Sequence, residues 1–451
     1  MSFSILPAEL QIEVFSYLEN TDLKAVRGVS ASCRDNASPH LFRSIIACTR
    51  YQAMGAFQNI ALHPVYQKYV KEIVFDATAY DAGEAKVESA YQSSALARPH
   101  LREVVSWVRH GRWKQYQSLY QEQEEIKEGV LLQTVARALE WMPHVESIAY
   151  CSHPLHVPVE KKLMKDILER RVPSPAWDGS IQAARYAANR PTENGFHHLI
   201  GAICVAQYSN IHEFRVRMLS HDGYWSGPRL ALGEFQFKES DHLESGKYFF
   251  RNLRKIELDL DMRYTAQRRE ALANMRTLLA EAKHLCQLRL HAEPNHNMQE
   301  SLAWLTAGEN ISPFASLGLG LYWPELRIVD LGRIIATEDE LRGLVHRGGD
   351  TLTSMKFTNS IITAGKWSNL TDEVVYGTKI STFILNRVHE EYVLRGMAFE
   401  HLRGSEHEKW MYEGQLKENT QGERYFWEHP GKSVYAWRDL PSNEAGSSEV
   451  D

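Results

Sequence analysis

The stretch that decides the fold is LRKIEL, residues 253–258, with apolar side chains at its first, fourth and sixth positions. Alternation over its second half puts Ile256 and Leu258 on one face and Glu257 on the other, as in a half-buried strand. Leu253 anchors the turn that enters this strand. The same apolar-x-x-apolar-x-apolar pattern begins at Val70, Val145, Ile211, Leu285, Leu326, Leu352 and Ile380. A pattern that returns this often is read first as a repeat.

The intervals between copies are uneven, short after Leu253 and much longer before it, and amphipathic stretches fill them. Val130–Met142 and Met275–Leu285 each precede a copy with helical periodicity. Glu338 to about His346 reads as a helix that stops at Gly348-Gly349, where glycine supplies a left-handed cap. Arg109–Gly129 is a polar inserted helix, with Trp113, Tyr116 and Tyr120 spaced to pack on the edge of the array. Residues 170–180, rich in proline and glycine, read as a loop.

These hexapeptides resemble the strand segment of leucine-rich repeats. The resemblance implies an α/β fold, an irregular leucine-rich-repeat-like solenoid over residues 48–400 with parallel strands on one face and helices on the other. A compact α/β domain shares the helix-then-strand order and stays open as the alternative. Residues 401–440 are dense in Trp and Tyr. They form an aromatic-rich terminal cap, with a hairpin turn through Asn419 and Gly422, and 441–451 is a small, acidic, disordered tail.

The N-terminus carries a second signal. Glu9–Leu18, wound as a helix, sets Leu10, Val14, Tyr17 and Leu18 on one side and Ile12 and Phe15 on the other. A helix with two apolar stripes lies deep in a core or has an outside partner. A second helix, capped by Asn20 or Thr21, buries Leu23, Val26 and Val29, and Pro39 breaks a third before Leu41 and Phe42. Leu6-Pro7, Glu9-Leu10, Val14-Phe15, Tyr17-Leu18, Asp22-Leu23, Val29-Ser30, Arg34 and Leu41-Phe42 resemble the F-box motif in order and spacing. Cys33 departs from it, standing where many F-boxes carry a bulky aromatic.

The resemblance implies a three-helix F-box over residues 1–47 that docks on the Skp-type adaptor of a cullin-RING (SCF) ubiquitin ligase. The rest of the chain would then present a protein substrate, whose identity the sequence does not give. Leu6, Pro7, Leu10, Val14, Leu18, Leu23 and Val29 are the expected adaptor-binding residues. The chain is then no enzyme itself. The rival readings are an interaction scaffold outside any ligase and an enzyme with an unrecognised site.

Composition narrows the classes. With 51 Lys and Arg against 57 Asp and Glu, the net charge is −6 and no basic stripe occurs, so no nucleic-acid partner is expected. Runs such as Leu199–Ala206 are too short to cross a bilayer, and no membrane partner is expected. Leu6-Pro7 and Glu9 interrupt any leader, and five scattered cysteines suit a reducing compartment, so a cytoplasmic or nuclear location is expected. No metalloprotease, nucleophile-elbow, Walker or dinucleotide motif occurs. The glycines of SLGLGLYWPEL lack the lysine of a phosphate cradle. The histidine pairs 153/156, 197/198 and 291/296 lack a companion ligand, so no cofactor or metal is expected. Asp259 and Asp261 read as the solvated face of a strand.

Overall fold

The computed structural model describes residues 6–77, 79–80, 82–96, 106–151, 195–216, 230–237, 240–262, 268–293, 312–386, 388–390, 417–418, 424–429 and 432–437. The 170–180 loop, the 441–451 tail and the first part of the aromatic-rich segment lie outside these.

Three helices open the chain: α1 (Ala8–Ser16), α2 (Asn20–Arg27) and α3 (Ala31–Leu41). Strand β1 (Ser44–Cys48) and helix α4 (Tyr51–Leu62) follow, then β2 (Glu72–Asp76). Helices α5 (Ala82–Lys86), α6 (Glu88–Leu96) and α7 (Ser106–Glu125) form an insertion. Next come α8 (Leu131–Trp141), β3 (Ser147–Cys151), α9 (Phe196–Val205), β4 (Glu213–Val216) and β5 (Leu230–Ala231). The chain continues with α10 (Ser240–Arg251), β6 (Lys255–Asp261), α11 (Arg268–Glu281), β7 (Gln287–Glu293) and α12 (Pro313–Ser316). After these lie β8 (Ile328–Gly332), β9 (Ile335–Ala336), α13 (Glu338–Arg347), β10 (Ser354–Thr358), β11 (Ile361–Ile362) and α14 (Trp367–Gly377). The last are β12 (Thr382–Asn386), β13 (His389–Glu390), β14 (Lys417–Glu418), β15 (Arg424–His429) and β16 (Lys432–Trp437).

The fold is mixed α/β around one mostly parallel sheet. Its strand order is β1-β2-β3-β4-β6-β7-β8-β10-β12-β16-β15-β14, so from β1 to β12 successive long strands are neighbours. All eight hexapeptides read from the sequence lie on these strands in matched parallel register. A ninth, Phe42-Arg-Ser-Ile45-Ile-Ala47, forms β1 and pairs with β2. β1 therefore runs across the expected 47/48 boundary. Three short strands, β9, β11 and β13, make a second parallel sheet at the turns that follow β8, β10 and β12.

One ladder explains the common register. The second residue of each copy donates its N–H to the carbonyl of the second residue in the copy before, from Lys71→Arg43 (2.8 Å) through Cys286→Arg254 (2.7 Å) to Ser381→Thr353 (2.9 Å). This satisfies backbone groups at the mouth of every strand, where a turn would otherwise leave them unpaired. Apolar side chains at positions one, four and six face the helices and fill the core: Leu253, Ile256, Leu285, Leu288, Leu290, Val329, Leu331 and Met355 are all fully buried. Against them lies a helix layer in which α4 packs on α8, α8 on α9, α9 on α10 and α10 on α11.

Several local expectations need correction. α11 ends at Glu281, and Leu285 belongs to the next strand entry. α13 ends at Gly348, whose φ of −88° is not left-handed. Its start is fixed instead by a capping box of Thr337 and Glu340, which satisfies two otherwise orphaned N–H groups. Trp113, Tyr116 and Tyr120 do not pack on the sheet edge; with Tyr80, Ala85 and Tyr91 they form a separate small core within the insertion. Asp259 and Asp261 are buried, not solvated. At the C-terminal end, β14 pairs antiparallel with β15 and β16 extends the sheet by pairing parallel to β12, while the expected turn at Asn419 and Gly422 lies outside the described residues.

Candidate interaction surfaces

Among the described residues the three opening helices enclose a core of Phe15, Leu23, Cys33 and Ala37, lined by Leu18, Val26 and Leu41. Gln11, a polar residue between the two apolar stripes, takes an inward position on α1. It is 4% exposed; its Nε2 donates to the Leu6 carbonyl (2.8 Å) and its Oε1 accepts from Asn36 Nδ2 (3.0 Å). With both groups satisfied, burying the amide costs little. Phe15 is the inward aromatic, and Leu10 and Val14 turn outward.

The expected adaptor-binding residues therefore divide. Leu10 (52%), Val14 (42%) and Val29 (74%) are exposed, as is Pro7. Tyr17 (79%) continues the outward stripe of α1, one helical turn beyond Val14. Leu6 and Leu18 are half-buried, and Leu23 is a core residue. Val29, expected in the core, lies outside it in the turn between α2 and α3. The second helix is entered from Glu19, without a side-chain cap from Asn20 or Thr21. Pro39 lies inside α3 and does not break it. Cys33 is buried, so the departure from the motif falls on the small core and not on the outer surface.

A polar joint ties this unit to the rest of the chain. Arg27 Nη2 donates to Tyr66 Oη (2.8 Å), and the guanidinium stands over the rings of Phe42 (4.8 Å) and Tyr66 (5.3 Å). Phe42 and His63 stack with Tyr66, at centroid distances of 4.0 and 3.7 Å. Such cation–π and stacked contacts gain strength where water is excluded.

The second surface is the face of the large sheet opposite the helices. It is built by the third and fifth positions of the hexapeptides, which point away from the core. The fifth positions lie in register as Ile46, Val74, Ala149, Arg215, Glu257, Arg289, Asp330, Lys356 and Ile384. The first three are apolar, and Val74 and Ala149 are fully buried in a small cluster with Cys151. From Arg215 to Lys356 the row alternates in sign, and the apolar Ile384 follows.

Ion pairs knit the row to its neighbours. Arg215 meets Glu72 and, at 3.8 Å, Glu213. Lys255 bridges Glu213 (3.0 Å) and Glu257 (2.9 Å). Arg289 stands 3.9 Å from both Asp259 and Asp330. Asp330 also meets His291 Nε2 (3.1 Å) and Lys356 Nζ (3.5 Å). Burial pushes the Asp330 carboxyl up, but the hydrogen bond from His291 and the charges of His291, Lys356 and Arg289 outweigh it and hold it below the usual aspartate range. The His291 ring lies so close to Gly332 that an added Cβ would sit 2.6 Å from it.

No protein-family model and no curated protein matches this chain.

Among the described residues no group of three His, Cys, Asp or Glu is placed to hold a metal, and no helix is long and apolar enough to cross a membrane. Of the paired histidines, His197 is buried with its Nε2 on the Glu234 carbonyl (2.6 Å), and Tyr150 donates to the Glu234 carboxylate (3.1 Å). His153, His156 and His296 lie outside the described residues. The charged row was missed from the sequence, yet its signal was there: the fifth residues of the five hexapeptides from Ile211 to Leu352 give the alternation directly.

Proposed function

We propose that this chain is the substrate-recognition subunit of a cullin-RING (SCF) ubiquitin ligase. In this reading α1–α3 are an F-box that docks on a Skp-type adaptor, and the sheet and its helices form an irregular leucine-rich-repeat-like solenoid that holds a protein substrate. The chain contributes proximity and no catalytic group of its own, raising the local concentration of acceptor lysines at the charged ubiquitin carrier. It would act in the cytoplasm or nucleus.

The observation that carries this is the uncovered apolar surface of a unit too small to hide it. Leu10, Val14, Tyr17 and Val29 remain exposed around a core built on four buried residues. Burying such side chains against a partner contributes roughly 1.5–3 kcal/mol each before association costs are met. The ladder from Arg43 to Ser381 supports the solenoid, because each rung repeats one strand entry.

The test is recovery of purified adaptor–cullin complex on the intact chain and on two variants. Leu10→Ala/Val14→Ala/Val29→Ala removes exposed side chains only, so the fold is kept while adaptor affinity falls about thirtyfold. Leu6→Ala/Pro7→Ala lowers recovery less, because Leu6 is already half-buried. Unchanged recovery on the triple variant would remove the basis for the assignment.

A further inference from the structure

We infer that the open face from β4 to β10 is a docking strip for an α-helix that carries acidic residues at heptad spacing on one side, with basic residues midway between them. The inference rests on the substrate-receptor reading and names the kind of segment the substrate offers.

The row Arg215, Glu257, Arg289, Asp330, Lys356 runs across five hydrogen-bonded strands, one side chain per strand. Adjacent strands are about 4.8 Å apart, so like charges recur at roughly 9.6 Å. A helix laid along the row rises about 5.4 Å per turn and about 10.5 Å per seven residues. Its successive turns therefore stay in phase with successive strands, drifting by only ~2 Å across the whole row. An extended segment in the same orientation presents same-face side chains about 6.7 Å apart and loses phase within two strands. An extended segment turned along the strands would touch only one or two members of the row and could not read the alternation.

Among the described residues, two cations of the row keep capacity for a partner. Both contacts of Arg289 are at 3.9 Å and that of Lys356 is at 3.5 Å, looser than a charge-assisted hydrogen bond. Their side chains are 42% and 39% exposed, against 21% for the Asp330 between them. The two cations thus stand forward of the anion they flank. A matching helix sets one acid on Arg289, a second on Lys356 two turns away, a third on Arg215, and bases over Glu257 and Asp330. The fully buried Val74 and Ala149 mark one end of the charged strip, and Ile384 of β12 marks the other.

The probe is an alanine-based helical peptide of about 20 residues with glutamate at every seventh position and lysine midway. It is compared with a peptide of the same composition in scrambled order, on the intact chain at low ionic strength. The patterned peptide is expected to bind at least about tenfold more tightly, an advantage that shrinks as salt is added. Arg289→Glu/Lys356→Glu, which leaves four successive acids in the row, should abolish that preference. Should the reversal disturb the fold by circular dichroism, Arg289→Gln/Lys356→Gln serves, with loss of the preference expected. Equal binding of patterned and scrambled peptides, or a preference unmoved by either variant, overturns the inference. Adaptor recovery on the same variants reads the other end of the chain: it stays intact if only the strip is wrong, and is absent from the parent chain if the receptor reading itself fails.

Discussion

The three-helix unit and the sheet body leave different things uncovered. The first has a core of four buried residues and exposes leucine, valine and tyrosine. The second runs one continuous core from Ile45 to Val388 and exposes alternating charges. Apolar surface binds through area, with little dependence on salt and little discrimination of sequence. Alternating charge binds weakly but rejects partners of the wrong order. In the proposed function the first surface would suit one constant partner and the second would suit selection among many. The difference follows from size, since a small unit cannot enclose all its apolar side chains and a large sheet can.

The comparison breaks most sharply at the small core. Phe15→Ala should cost the three-helix unit about 3–5 kcal/mol, because a fully buried aromatic leaves a cavity in a core with little else. Limited proteolysis should then cut within residues 6–41 while the sheet body stays resistant; equal loss of both would show that the two share one stability. The next largest effect is at Gly365, whose φ is +100° and where an added Cβ would collide with Glu338. Gly365→Ala should cost about 1–3 kcal/mol by denaturant unfolding of the sheet body, without changing adaptor recovery. Thr337→Ala removes half of the capping box and should cost about 1 kcal/mol, again confined to the body.

The smallest effect sharpens the charged side. The Asp330 carboxyl is held low in the folded chain, so its ionised form stabilises the fold above the ordinary aspartate range. That contribution is lost as pH falls through the depressed folded value. Asp330→Asn should therefore lower stability near neutrality by about 1 kcal/mol or less, and parent and variant should converge in acid. A gap that persists at low pH would assign the role to shape and not to charge.

The sheet was readable because its signal is short and repeated. All eight hexapeptides read from the sequence became strands, since one apolar residue before an alternating triplet is enough to specify an entry and a face. The ninth ends on Ala47 and overlaps the opening helical segment, so its apolar signal was weak and already claimed. The inward place of Gln11 on α1 was not legible for a different reason. Periodicity weighs Leu10 above Gln11, but it does not register that Asn36 and the Leu6 carbonyl wait to satisfy a buried amide. The aromatic helix α7 showed its spacing but not its partner, because Tyr80 and Tyr91 lie far upstream in the chain. Buried Asp259 and Asp261 looked like ordinary strand polarity, since burial of an open face depends on distant segments.

The ladder of strand-entry bonds separates pitch from bulk. Val70 to Val145 takes 75 positions and Leu326 to Leu352 takes 26, yet both steps advance the sheet by a single strand. Coils on the far side can therefore lengthen, shorten or be replaced in descendants of this chain while the side chains of the open face keep their mutual distances. Such a molecule can acquire new outgrowths without losing its grip, and can exchange one letter of its charge row without rebuilding anything behind it.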